Sequence, residues 1–174
     1  MHSMMNISEQ LKAEMSKKNM NYIAQYIGND TERYKQLTDV LFNGAAPLPY
    51  RASWVITIIY DRFPELIGPY LKKIVSHIEE FNHSGIRRNL LRSIAEENIP
   101  KSLQGKLYDV CYQWLLSRNE PPAVKVHCMQ ILFNISEEEP DLKKELKLIL
   151  EELTDHESAA IKSRSRQLIK KMIN

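Results

Sequence analysis

The amino-acid sequence predicts an all-α fold, a stack of helix pairs forming one domain. Three observations carry that expectation. Apolar residues recur at helical spacing along most of the chain, interrupted by short segments of Pro, Asn, Asp and Ser. Glycine is scarce, 5 of 174 residues, and the 8 prolines fall mostly between the apolar segments, where they punctuate helices. A pattern of apolar and basic residues recurs four times, 36 to 38 residues apart, a spacing characteristic of helical repeats.

The breakers divide the chain into nine helical segments. The first runs from about Ser8 to Tyr26 and stops at Gly28-Asn29. The second opens at Asp30 or Thr31, where Asp30-Thr31-Glu32 supplies a capping side chain and a carboxylate near the positive end of the helix dipole. It ends near Asn43-Gly44. A Pro-containing linker, Ala45 to Pro49, leads into the third, which starts at Tyr50 and ends at Pro64. The fourth covers Glu65 to Phe81. Ser84 caps the fifth, which ends near Pro100, and Ser102 caps the sixth, to Ser117 or Arg118. Pro121-Pro122 opens the seventh, to Ser136, and Pro140 opens the eighth, to Thr154. The ninth follows a turn at Asp155 to Ser158. Trp54 to Tyr60 is β-branched and aromatic enough for a strand, but its repeat partners are helical, so a helix buried on two sides is expected.

The repeat is read from basic residues that follow an apolar one: Tyr50-Arg51, Ile86-Arg87, Val124-Lys125 and Ile161-Lys162. The basic residues lie 36, 38 and 37 positions apart. Three, four and seven residues after each come Trp54, Val55 and Ile58; Leu90, Leu91 and Ile94; Cys128, Met129 and Leu132; then Ser165, Arg166 and Ile169. These offsets share one helical face. The last copy is polar at two of its three positions, as suits a terminal repeat with nothing stacked outside it. The preceding helices repeat in the same way, with Leu66, Tyr70 and Ile74 matching Leu103, Leu107 and Cys111, then Leu142, Leu146 and Leu150. The expected organisation of 1–174 is an N-terminal helix (1–28), a cap or the remnant of a fifth pair, followed by pairs at 30–63, 65–98, 102–136 and 140–173.

With this opening to each second helix, the chain resembles the HEAT-repeat (armadillo-like) family from roughly Asp30 to Met172. The resemblance implies a right-handed α-α superhelix of about four pairs whose second helices line the concave side. Family members tend to carry an intra-repeat Asp that bonds a basic residue of a neighbouring repeat. The matching turns here hold Asn43, Asn82, Asn119 and Asp155, so a charged ladder is in question, although an amide also accepts hydrogen bonds.

Composition narrows the function classes. Hydrophobic residues are 43% and charged residues 26%, ordinary for a globular chain, and the net charge of +2 argues against a dedicated nucleic-acid binder. Met1 to Asn6 holds no apolar signal core, and no apolar run approaches a membrane span, so a soluble cytoplasmic protein is expected. Cys111 and Cys128 lie in apolar-periodic segments and read as reduced core thiols. None of His2, His77, His83, His127 and His156 has a metal-ligand spacing, and His127 and Cys128, being adjacent, diverge on a helix. With no nucleophile elbow, phosphate loop or zinc motif, no catalytic residue, cofactor or metal is assigned.

Binding residues are sought among the basic and aromatic ones. Arg51, Arg87, Lys125 and Lys162 track the repeat and read as a structural ladder, with contact to an acidic partner as the other use. Trp54 and Trp114 occupy core positions of the register. The Glu137-Glu138-Glu139 and Asp141 stretch suits the N-terminus of the eighth helix. Arg88, Arg92 and Lys101 cluster around the fifth helix, and Arg164, Arg166, Lys170 and Lys171 on the ninth. On a concave surface such charges attract phosphate or carboxylate-rich segments; the plainer account is a solvated face offset by Glu96, Glu97 and Glu157. Of these, Arg88, Arg92, Arg164 and Arg166 are assigned to partner binding. The expected function is a non-catalytic interaction or scaffold module that binds a protein or peptide, in particular an acidic one, and no membrane. The alternatives are a nucleic-acid-binding protein related in fold to the HEAT-like alkylpurine DNA glycosylases, and a structural subunit of a larger assembly.

Overall fold

The computed structural model describes residues 5–156 and 158–173. The readings made above of Met1 to Met4 and of Glu157 lie outside them. Ten α-helices are present among the described residues: α1 (Ile7–Ala13), α2 (Lys17–Ile27), α3 (Thr31–Asn43), α4 (Leu48–Tyr60), α5 (Leu71–His77), α6 (Ser84–Ile94), α7 (Lys101–Leu116), α8 (Pro122–Ser136), α9 (Pro140–His156) and α10 (Ala159–Ile173). The described residues contain no strand, and Trp54 to Tyr60 lies within α4. The fold is the all-α repeat solenoid that the register anticipates.

The helices form two rows. In one, α2, α4, α6, α8 and α10 pack each on the next. In the other, α1, α3, α5, α7 and α9 are more splayed, each tied mainly to the inner row or to a connecting turn. A stack whose one row is close-packed and whose other is splayed curves toward the close-packed row, so the even-numbered helices form the inner face. Leu90, Leu91, Ile94, Cys128, Met129 and Leu132 are all buried, as the shared offsets require. Ser165 is buried too, while the next residue, Arg166, is exposed, so the last copy loses only part of the face. Trp54 and Trp114 pack against the core but keep part of their surface in solvent.

Two segments differ from the sequence expectation. The single N-terminal helix is two, because the chain leaves the helix at Glu14 and re-enters at Ser16, whose side chain caps α2 through the Asn19 N–H. Asn19 locks the corner, donating to the carbonyls of Gln10 at 2.9 Å and Glu14 at 2.7 Å and accepting from Gln10 Nε2 at 2.7 Å. Since α2 packs on α4, α1 and α2 make a fifth helix pair. The expected helix from Glu65 to Phe81 begins instead as a 3-10 turn, Pro64–Tyr70, and ends in another, Ile78–Glu80. Pro69 accounts for the first: it lacks an N–H, and its ring would clash with the carbonyl four residues back in an α-helix.

The caps differ in detail. Asp30 caps α3 as expected, accepting from the Arg33 N–H at 3.0 Å. Ser84 does not cap α6; His83 does, its Nδ1 accepting from the Gly85 N–H while its ring stacks on Tyr50. Helix α7 starts one residue ahead of Ser102 and has no side-chain cap. Cys111 and Cys128 are free, buried thiols on α7 and α8. Burial, and then the Cys128 thiol beside it, pushes the Cys111 thiol well above its ordinary range, so it stays protonated.

Candidate functional site

Three of the repeat-register bases bond other helices or the turns that join them. Arg51 of α4 donates to the carbonyls of Leu11 at 2.6 Å and Lys12 at 3.1 Å, in the last turn of α1. Carbonyls there have no partner within their own helix. Arg87 of α6 donates through Nε to the Phe81 carbonyl at 2.7 Å, just past the outer helix of its own pair. It also pairs with Glu120, in the turn before α8, and its guanidinium lies 4.7 Å from the Trp114 ring centre. Lys162 of α10 approaches the Asp155 carbonyl, at 3.4 Å, near the end of α9. Lys125 is buried on α8. For Arg51, Arg87 and Lys162 the acceptors are backbone carbonyls and one carboxylate. Instead of a ladder through Asn43, Asn82 or Asn119, the structure shows outer-row helix ends capped from the inner row.

A second basic set looks the other way. Arg92 of α6, His127 of α8 and Arg164 of α10 line one cleft of about 300 Å³ on the inner face, with Tyr60 and Asp61 from the end of α4. Arg88, one turn back on α6, is close enough to act on the same imidazole. His127 is half-buried, and its proton affinity is pushed down from the usual 6.5 to about 4. Burial is the largest cause, followed by the positive charges of Arg164, Arg92 and Arg88. The ring is therefore neutral at physiological pH, in a locally positive field.

The arginines are unequally engaged. Arg92 Nη2 donates to Asp61 at 2.7 Å, and Nη1 reaches the Thr57 carbonyl at 3.5 Å. Arg88 bonds only a neutral amide, that of Asn89, from Nε at 3.3 Å and Nη2 at 3.1 Å. Arg164 has one long contact, 3.5 Å to Gln167. The carboxylates collect at the α4 side: Asp61 on Arg92, Glu96 beside it, and Glu97, which accepts from the Tyr60 hydroxyl at 2.7 Å. Burial and that bond to Glu97 raise the Tyr60 phenol, keeping it protonated.

Arg166 does not join the cleft. It is exposed at the other edge of α10, in an open groove with Glu151, Asp155 and Ile173. Lys101 is elsewhere as well, paired with Glu138. The structure thus brings Arg92 and Arg164 into one cleft, with Arg88 one turn back on α6, and leaves Arg166 apart. Among the described residues, no cluster of His, Cys, Asp and Glu could hold a metal ion, and no helix is long and apolar enough to cross a membrane.

A family model of the HEAT repeat domain matches residues 7–172. The chain belongs to the HEAT-repeat family. No curated protein and no solved structure matches it. HEAT repeats build helical scaffolds for protein interactions, and this HEAT-repeat chain has that architecture.

Sequence reasoning missed His127, Tyr60 and Asp61. The signal for His127 was in the register. The second residue after each repeat-register base is Ser53, Asn89, His127 and Arg164. Each comes from a successive inner helix, so the four define one polar row across the stack. Its first two members bond directly, Asn89 Nδ2 to Ser53 Oγ at 3.0 Å, and Asn89 Oδ1 accepts from Arg88. In this HEAT-repeat protein the row passes from buried amide and hydroxyl to imidazole to guanidinium, becoming more basic toward the C-terminal end. Chemically the cleft offers N–H donors in a positive field; Cys128 beside His127 is turned into the core and supplies no nucleophile there.

Proposed function

We propose that this HEAT-repeat chain is a non-catalytic protein-interaction module that receives an acidic segment of a partner protein on its inner face, at Arg88, Arg92 and Arg164. One observation carries the reading: Arg92 and Arg164, from two helices distant in sequence, line one cleft around a neutral imidazole, with Arg88 one turn back on α6. Among the described residues Arg88 and Arg164 bond only within their own helices, so their charge is available to a partner, whereas Arg92 already bonds Asp61 and the Thr57 carbonyl at the end of α4. A basic cleft also steers an acidic partner at long range, with a rate that falls as salt rises. The cytoplasm and a single interaction domain over 1–174 fit the same reading. Nucleic acid fits less well, because the basic zone is short, Asp61 and Glu96 border it, and the net charge is only +2.

Affinity purification of the chain and of its R88E/R92E/R164E variant tests this, with circular dichroism as the check on folding. The expected result is a partner set retained by the parent and lost by the folded variant, with the loss mimicked by raised salt. An unchanged partner set refutes the inner-face reading. Retention of single-stranded DNA or RNA by the parent, lost in the variant, would move the assignment to nucleic acid.

A further inference from the structure

We infer that the cleft lined by Arg92, His127 and Arg164, with Arg88 one turn back on α6, is a phosphate-monoester site, which reads a phosphorylated serine or threonine in the partner segment. The inference rests on the inner-face reading and specifies its ligand.

The guanidinium groups approach from two helices, Arg88 and Arg92 on α6 and Arg164 on α10, with the imidazole of α8 between those helices. A carboxylate is planar and presents one edge, which one guanidinium fork satisfies. A phosphate monoester presents three terminal oxygens in a tetrahedral array and so accepts from several directions at once. The donor inventory agrees. Each guanidinium carries five N–H groups, and those of Arg88 and Arg164 bond only neutral amide oxygens, at 3.1 to 3.5 Å.

The local charge points the same way. The groups facing His127 are Tyr60 and Asp61 from α4, Arg88, Arg92 and Glu96 from α6, and Arg164 from α10. Asp61 is paired with Arg92 and Glu97 with Tyr60, and after burial it is the three arginines that lower the proton affinity of the imidazole. An anion beside the ring would accept from those arginines. A neutral imidazole can give that anion one N–H bond. The volume, about 300 Å³, is at the small end of ligand sites and suits a phosphorylated side chain rather than a helix.

The site contains its own reporter. An anion bound among the arginines offsets their charge, which after burial is what lowers the proton affinity of His127, so phosphate binding is expected to raise it. The experiment is an NMR titration of the histidine ring resonances, with His127 assigned from H127Q. The probes are inorganic phosphate and two peptides of one sequence, carrying phosphoserine or glutamate at the central position. Phosphate is expected to shift the His127 signals and raise the ring's pKa, and the phosphopeptide to bind about tenfold or more tightly than its glutamate counterpart. Removing Arg164 (R164A) is expected to weaken phosphopeptide binding about tenfold, the worth of one charge-assisted bond. R164K, which keeps the charge and loses the fork, should fall between, and it covers the case in which R164A is not folded.

A His127 ring that does not respond to phosphate, or equal binding of the two peptides, overturns the phosphate site. If the peptides bind equally while the R88E/R92E/R164E variant still loses its cellular partners, only the phosphate inference fails. If the partners are retained as well, the inner-face reading fails with it.

Discussion

Arg87 and Arg88 are neighbours in sequence with opposite roles. Arg87 lies among the Phe81 carbonyl, Glu120 and the Trp114 ring, and only 16% of its side chain is exposed. Arg88 bonds a single neutral amide and contributes its charge to the inner cleft. A step of one residue on a helix rotates the side chain by about 100°, enough here to exchange the turn between repeats for the solvent of the inner face. The comparison separates two kinds of basic residue in one repeat. Arg51, Arg87 and Lys162 in the repeat register bond other helices or turns. Arg88 and Arg164, one and two positions after a register base, bond only within their own helices among the described residues and are free for the proposed partner. Arg92, five positions later, does both, bonding the end of α4 and lining the cleft.

The strongest test of the contrast is R87A. It removes the partner of Glu120, whose side chain is only 8% exposed and whose Oε2 already has no hydrogen-bond partner. Leaving a buried carboxylate without its cation is expected to cost about 3 kcal/mol, seen as a lower midpoint in urea unfolding. R87A/E120Q, which also removes the stranded charge, should recover part of the loss. If R87A is no worse than R88A, the division between the two arginines is wrong.

Arg51 belongs to the same class with a smaller stake. Its two bonds cap the last carbonyls of α1, so R51A is expected to lose roughly 1–2 kcal/mol. Faster hydrogen exchange should follow in α1 and α2 rather than across the chain, because the released groups belong to the first pair. Uniform acceleration would mean that Arg51 serves the whole stack.

The legible part of this molecule was what the repeat enforces. The offsets after Arg87 and Lys125 found buried positions because one helical face must meet its neighbours in each copy; after Arg51 only Val55 is buried, with Trp54 and Ile58 half-buried against the core. The break between α1 and α2 was hidden because apolar periodicity continues through it, and the deciding residue is a buried polar Asn19 whose bonds reach back to Gln10 and Glu14. The apolar match at Leu66, Tyr70 and Ile74 predicts one continuous helix, and Pro69, which lies within that match, is what breaks it. The arginine clusters were visible by composition; which of them converge depended on stacking. Arg164 and Arg166 are two residues apart and fall on opposite edges of α10, and nothing in their local sequence ranks one over the other. His127 was set aside because it lacked a metal or nucleophile partner, when its significance was the charge brought to it by α6 and α10.

His127 links the inner face to stability. Its folded value, about 4, lies below the ordinary 6.5 of an unfolded chain. Between these values the unfolded state holds the extra proton, so the stability present above pH 6.5 is lost as the pH falls toward 4. The ring is only half-buried, and with solvent screening the loss is roughly 1–2 kcal/mol. Unfolding midpoints measured from pH 7 to pH 4 should fall less steeply in H127Q than in the parent. Parallel profiles would place the ring in a more open environment than the cleft described here.

The smallest effect sharpens the comparison most, because stability is nearly silent in it. R88A and R166A should each change unfolding free energy by no more than about 0.5 kcal/mol, as for surface substitutions generally. They are expected to differ at His127. Removing a positive charge that faces the ring makes protonation easier, so its pKa must rise from about 4 toward 6.5 in R164A, less in R92A and least in R88A, following the order of their influence. R166A should leave it unchanged, since Arg166 belongs to the groove at the other edge of α10. NMR titration of the ring in the four variants reads this directly. A response in R166A equal to that in R164A would dissolve the distinction between the two edges of α10 and, with it, the boundary of the cleft.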